Sequence, residues 1–250
     1  LRHYPHLMAP KLAKRLEILI DVNNERLERR REWMPVPDRA VALLNVPLKS
    51  YVSETQIHPG ESYRGPLRFL YQGTLGSSNG LSFLFDSFRL VDPLQYTLAL
   101  AGYTDDPQAL IRKIGGYFPA GNVSYSGLLP RTELPEFMSR HDVGIALYPW
   151  RNDPMNPGFE LCAPNKLYEY LARGLPVVCS DNASLQFVKE RKLGWQIDPE
   201  SPHQLSNLIG TLCRQRDTVS EYGKNALALS QQQWNFEHQF TAIVDLIRQI

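Results

Sequence analysis

The sequence predicts an α/β fold: a doubly wound parallel sheet covered by helices on both faces. Three observations carry this. From about residue 66 onward, short apolar runs alternate with amphipathic stretches. The runs are apolar throughout, as strands buried on both faces are. Several end directly in Gly or in a Pro-rich loop, the punctuation expected where a strand hands over to a turn.

Each element follows from its pattern. Leu67–Tyr71 is a mostly apolar run ending in Gln72-Gly73, which reads as a buried strand entering a Gly turn. Leu81–Leu90 has helical spacing through Leu81, Leu84, Phe85 and Phe88. Tyr96–Ala101 is a strand closed by Gly102, Pro107–Gly115 a helix, and Val123–Ser126 a strand followed by Gly127. Leu134–Arg140 is a helix and Val143–Tyr148 a strand that leaves into a Pro-rich loop. Lys166–Ala172 is a helix stopped by Gly174, and Pro176–Cys179 a strand. Leu185–Glu190 is a helix, Trp195–Ile197 a strand, His203–Gln215 a helix. The run Gln231–Ile250 reads as one helix with Trp234, Phe236, Phe240, Ile243, Leu246 and Ile247 on or near one face.

The first sixty residues have another texture. Leu16–Val22 reads as a strand, Glu25–Trp33 as an Arg-rich helix, and Ala40–Leu44 as a strand ending in Asn45-Val46-Pro47. Lys49–Arg64 is polar and holds Pro59 and Gly60, a linker composition. A domain boundary is expected around Pro47–Gly65. The chain is thereby divided into residues 1–48, a linker over 49–65, the α/β region 66–230 and a terminal helix over 231–250. Arg26, Arg29, Arg30 and Arg31 are read as a solvated helix face paired locally with Glu25, Glu28 and Glu32. Contact with anionic lipid or phosphate is the other reading of that run.

Bulk properties exclude several classes. At 250 residues and a hydrophobic fraction of 43%, the chain can bury a proper core. A net charge of +1 gives no basic surface for nucleic acid. Cys162, Cys179 and Cys213 are scattered, without CxxC spacing, and the histidines do not cluster. This argues against a disulfide framework or a metal site and points to a reducing, cytoplasmic compartment. No apolar run reaches the roughly 18 residues needed to span a bilayer. The chain opens on Leu1 rather than Met, with no signal pattern, and is therefore expected to be a piece of a longer protein.

Three stretches carry chemistry. Tyr71–Leu81 runs from a strand through a Gly-rich turn (Gly73, Gly76, Gly80) to a helix start. Such a turn lets backbone approach a phosphate, and the helix start offers free N–H groups. It is neither a Walker A loop nor GxGxxG, and a tight turn with a cap at Ser77 or Ser78 would look the same. The second stretch, Pro164–Val178, is more specific. Lys166 sits at a helix start, where it can neutralise phosphate, and Glu169 lies one turn on, where a carboxylate can hold a ribose diol. A surface i, i+3 ion pair is the plain alternative. The third is the long loop from Tyr148 to Pro164, in which Arg151 or Glu160 could face a ligand; a surface loop without a site is the plain alternative.

The Pro164–Val178 segment resembles the signature helix of GT-B glycosyltransferases of family 4, where Pro-x-Lys-x-x-Glu precedes a small–basic–Gly–x–Pro-Val-Val strand. The chain order agrees. Gly73-Thr74-Leu75 resembles the family's first Gly loop, Leu98–Gly102 its second strand, and Asn122–Gly127 the strand whose end holds the nucleobase. Arg131–Ala146 resembles the helix and strand that follow, and Val41–Pro47 the crossover strand. The likeness spans about residues 15–250 and implies a Rossmann-like, C-terminal donor-binding half: residues 1–48 as the remnant of a preceding, N-terminal acceptor domain with its crossover, 66–230 as the nucleotide-sugar-binding domain, and 231–250 as a C-terminal crossover helix. Departures exist. The earlier of the family's two Glu residues falls at Leu161, beside Glu160. The slots for Arg after the first Gly and for Lys near its helix are Thr74 and Asn79.

The resemblance implies transfer of a sugar, of hexose type and with retention, from a nucleoside-diphosphate sugar to a glycan or lipid-linked acceptor hydroxyl, in surface polysaccharide or glycan synthesis. Lys166 and Glu160 are the expected catalytic residues. Gly73, Thr74, Gly102, Gly127, Leu128, Tyr148, Asn165, Lys166, Leu167 and Glu169 are the expected substrate contacts. No cofactor, metal or nucleic acid is expected; peripheral membrane contact is expected only through the preceding domain. A nucleotide-sugar epimerase and a non-catalytic nucleotide-binding domain are the alternatives.

Overall fold

The computed structural model describes residues 15–32, 34–54, 65–76, 80–148 and 161–249. Two parallel sheets are present among them. The first is β1 (Leu19–Asp21) beside β2 (Ala40–Ala42), joined by α1 (Asn24–Arg31). Asn23 caps α1 by accepting from the Arg26 N–H at 2.9 Å. The Arg-rich face is paired as expected: Arg29 with Glu32 at 2.8 Å and Arg31 with Glu28 at 3.3 Å. Arg30 instead turns inward to the buried Asp21, a partner that helix spacing does not reveal.

The second sheet has six parallel strands, all of them expected from sequence. In chain order the elements are β3 (Leu67–Gln72), α2 (Leu81–Phe88), β4 (Tyr96–Ala101), α3 (Pro107–Tyr117), β5 (Val123–Tyr125), α4 (Leu134–Met138), β6 (Val143–Ala146), α5 (Asn165–Ala172), β7 (Val177–Ser180), α6 (Phe187–Glu190), β8 (Gly194–Ile197) and α7 (Pro202–Arg214). The spatial order is β5-β4-β3-β6-β7-β8. The chain thus starts in the middle at β3, winds outward to β5, then returns to lay β6 on β3's other side. The switch point lies between β3 and β6, where Phe69 pairs with Val143 and Tyr71 with Ile145. Doubly wound sheets open a crevice there, at the carboxyl ends of the strands.

The period-2 pleat explains why both faces are apolar. Phe69 and Tyr71 point into one core, with Phe85 and Phe88 of α2 and Leu205 and Ile209 of α7. Leu70 points into the other, with Met138, Leu167, Tyr170 and Leu171. Gly144 on β6 matters here. A Cβ at that position would lie 2.4 Å from the Tyr170 ring, so only Gly lets the ring lie flat against the sheet.

Two helices follow α7. Sequence reading passes over α8 (Arg216–Gln232), which is the longest of them at 17 residues. The expected single helix Gln231–Ile250 is interrupted: residues 231–232 finish α8, and α9 (Phe236–Ile247) opens on a new cap, Asn235 accepting from the His238 N–H at 3.0 Å. Trp234 falls in the break and packs edge-on to Tyr168 and Phe187. The start of α9 is tied to the segment after β2. Phe236 N–H donates to the Pro47 carbonyl at 2.9 Å, and Lys49 N–H to Glu237 at 2.7 Å. The opening of the expected linker is packed too: Val52 and Ser53 are buried, and Ser53 N–H donates to the Ala172 carbonyl. Residues 55–64 of it lie outside the described residues. No helix among the described residues is long and apolar enough to cross a membrane.

Candidate functional site

At the carboxyl end of β3 the chain turns at Gly73, with φ +129°, and at the end of β4 it turns at Gly102, with φ +140°. These are backbone conformations that L side chains rarely adopt. The two turns also touch. A Cβ on Gly102 would lie 1.8 Å from the Gly73 carbonyl oxygen. Gly73 N–H donates to the Ala101 carbonyl, and Gly102 N–H to the Gly127 carbonyl at 2.8 Å. Three strand ends are thereby fastened into one floor.

Above this floor α5 begins. Its first position follows Pro164, and no side chain caps it, so its open N–H groups and positive dipole end face the crevice. Lys166 reaches back over the floor. Its ammonium lies 4.3 Å from the Tyr71 ring centroid and 5.5 Å from that of Tyr148, and 3.1 Å from where a Gly73 Cβ would be. Two aromatic faces and a bare backbone turn hold the cation. Desolvation pushes the Lys166 pKa down to about 8, with Glu169 opposing in part. Burial raises both tyrosines, Tyr71 to about 12 and Tyr148 further, so both phenols stay neutral.

One helical turn on, Glu169 is 7% exposed. Its carboxylate accepts from Gln72 Nε2 at 2.6 Å and from Arg131 Nη2 at 2.9 Å. Gln72 is held in turn: its backbone N–H donates to the Tyr170 hydroxyl at 2.8 Å. The Tyr170 ring lies over Gly144, so a glycine on β6 sets the geometry of the carboxylate.

These groups line one cavity of about 540 Å³. Eight of the residues expected from sequence are in its wall: Gly73, Thr74, Gly102, Leu128, Tyr148, Asn165, Lys166 and Glu169. Gly127 is behind the wall, where it contributes the carbonyl to Gly102. Leu167 has no exposure and packs in the core: at a helix start only one side faces the crevice, and the next residue is turned away from it. Glu160 and Arg151 lie outside the described residues. Sequence reading missed Gln72 and Arg131. A polar residue closing the apolar run of β3 is a usable signal for Gln72. Arg131 directly follows the Gly127–Pro130 strand-end loop, the place to look in such a sheet.

Residues 66–215 match the family described as glycosyl transferases group 1. That is more than half of the chain. The chain belongs to this glycosyltransferase family. The architecture of this group 1 glycosyltransferase chain also matches solved GT-B enzymes. HepE from Anabaena, in complex with UDP and glucose, superposes with a TM-score of 0.73 at 16% identity, covering 100% of this chain and 69% of that one. Sucrose-phosphate synthase from Thermosynechococcus elongatus gives 0.73 at 18% identity, covering 98% and 61%. TarM from S. aureus, in a complex that includes UDP, gives 0.68 at 14%, covering 94% and 44%. The chain thus spans between 44% and 69% of the length of these three proteins. No curated protein matches the sequence.

Proposed function

We propose that this chain holds a nucleoside-diphosphate sugar and that, together with an acceptor-binding domain, it transfers the sugar to an acceptor hydroxyl. One observation carries the reading. The Lys166 ammonium sits against the Gly73 turn at the open start of α5, and Glu169 is one turn deeper in the same cavity. A diphosphate fits the first of these and a ribose the second. As the bond to the sugar breaks, negative charge grows on the diphosphate. Lys166, the helix start and the turn's N–H groups are preorganised to stabilise it. Thr74 and Asn165 flank that place, and Gly102, Gly127 and Leu128 mark the nucleobase side. Glu160 and Tyr148 are assigned to the sugar side. HepE, one of the structural neighbours, has been captured with UDP-glucose, which supports a hexosyl donor.

Residues 1–48, of which 1–14 and 33 lie outside the described residues, are assigned to the remnant of that second domain and its crossover, residues 231–250 to the helix that crosses back to it, and the site to a cytoplasmic enzyme of surface polysaccharide or glycan synthesis with a glycan or lipid-linked acceptor. Orientation and water exclusion need a closed cleft, so the isolated chain is expected to bind nucleotide without transferring sugar. Thermal shift with UDP, GDP and ADP tests the binding, because a ligand that binds only the native state raises Tm. No shift with any of them overturns the reading. Robust transfer by the isolated chain overturns the division of labour. Epimerisation without transfer by the full-length enzyme points to a different reaction.

A further inference from the structure

The Gln72 amide makes only part of its hydrogen bonds. Its Nε2 donates to Glu169 Oε2 at 2.6 Å. That contact orients the amide, because an ionised carboxylate only accepts and the NH₂ end must face it. The other end, Oε1, is buried and has no partner among the described residues. Gln72 is 6% exposed and lies in the cavity wall. Native structures rarely keep a buried acceptor unpaired without a reason.

Glu169 has a displaceable donor of its own. Its Oε1 is held by Arg131, whose side chain is 79% exposed. An ion pair in which one member is this exposed is held weakly. When it opens, two acceptors come into play one hydrogen bond apart in the chain of contacts: Glu169 Oε1 and Gln72 Oε1. Two such acceptors suit two neighbouring hydroxyls.

We propose that Gln72 is a specificity-determining residue that contacts the ligand directly, reading one hydroxyl of a vicinal diol while Glu169 reads the other. Arg131 leaves Glu169 as the diol enters. Gln72 thus has two tasks: it anchors Glu169 and it supplies the second acceptor. The inference rests on the nucleotide-sugar reading of the cavity, in which the diol is the ribose.

The test separates the two hydroxyls. Calorimetry with UDP, GDP and ADP first identifies a nucleotide that the wild-type chain binds. That nucleotide is then compared with its 2′-deoxy and 3′-deoxy forms in wild type and in Gln72→Met, which keeps the length of the side chain but has no amide. Each deoxy form binds wild type more weakly. In Gln72→Met one of the two penalties shrinks about three- to tenfold, the range of a neutral hydrogen bond, and the other persists. Gln72→Asn, whose amide is too short for either contact, gives the same pattern and stands in if the Met variant does not fold. Unchanged penalties overturn the inference. An equal fall in both also overturns it, because Gln72 then acts only by orienting Glu169. If wild type binds none of the three nucleotides, the reading of the cavity fails and takes this inference with it.

Discussion

Lys166 carries its ammonium over the Tyr71 ring, 4.3 Å from the centroid, and packs the same group against the Gly73 turn. The cation is therefore placed before any ligand arrives, by contacts that leave its protons free to donate outward into the cavity. Lys166→Ala is expected to weaken nucleoside-diphosphate binding by one to two orders of magnitude, about the 1.5–3 kcal/mol of a hydrogen bond to a charged group. Calorimetry checks it, and unchanged affinity removes Lys166 from the phosphate site.

The depressed Lys166 pKa sets two pH trends of opposite sign. Anion binding needs the protonated form, and a bound diphosphate raises the pKa again. Affinity is therefore expected to fall as pH rises above about 8, by up to about tenfold per pH unit. The stability of the unliganded fold moves the other way. Between about 8 and the ordinary lysine value of 10.5 the unfolded chain binds more protons than the folded one, so this group makes stability rise with pH. Calorimetry and denaturant melts across that window give both slopes. A flat affinity profile in wild type, or an identical profile in Lys166→Met, removes Lys166 as the titrating group.

Gly102→Ala is expected to be severely destabilising. The new Cβ meets a backbone oxygen, not a flexible side chain, and the backbone is in a region Ala avoids. A loss of at least about 3 kcal/mol is expected, which lowers Tm by roughly 6–12 °C in a chain of this size. Gly116→Ala is the control, since nothing lies within 4 Å of its added Cβ. Equal melting of the two variants contradicts the touching-turn geometry.

Glu169→Gln is expected to keep the fold and to cost affinity for ribose-containing ligands, because an amide accepts on only one side. Circular dichroism and calorimetry with matched nucleotides read the two halves of that statement. A wild-type chain indifferent to the ribose hydroxyls counts against the role of Glu169.

Tyr170→Phe removes a hydroxyl that accepts from Gln72 N–H at 2.8 Å and donates to the Leu70 carbonyl at 3.3 Å. The buried Gln72 N–H loses its hydroxyl partner, so about 1–3 kcal/mol of stability is expected to go. Denaturant unfolding measures it. A change within error means that water fills the gap.

The parallel sheet was legible because its strands are short, mostly apolar runs, several of them closed by Gly or a Pro-rich loop. Tyr96–Ala101 matches to the residue, and Leu67–Tyr71 falls one residue short. Helix α8 was not legible. Its buried positions are Val219, Gly223, Ala226, Leu227 and Ser230, mostly small residues whose periodicity hardly rises above the surrounding polar sequence. In the C-terminal stretch the apolar stripe continues across a break that only the Asn235 cap reveals. In the site, Lys166 and Glu169 could be found because one helical turn relates them. Gln72 and Arg131 meet Glu169 across 97 and 38 residues of chain, and no local period encodes such a meeting.

The contact between the Gly73 and Gly102 turns has a mechanical consequence. With no side chain between them, neither strand end has slack: a shift of one is a push on the other. The floor of the cavity therefore responds to a ligand as a single rigid plate, and it offers little room for evolutionary tuning. Adaptation to a different base or sugar must fall to the rim, where Leu128 is exposed and a change of rotamer or residue leaves the floor in place.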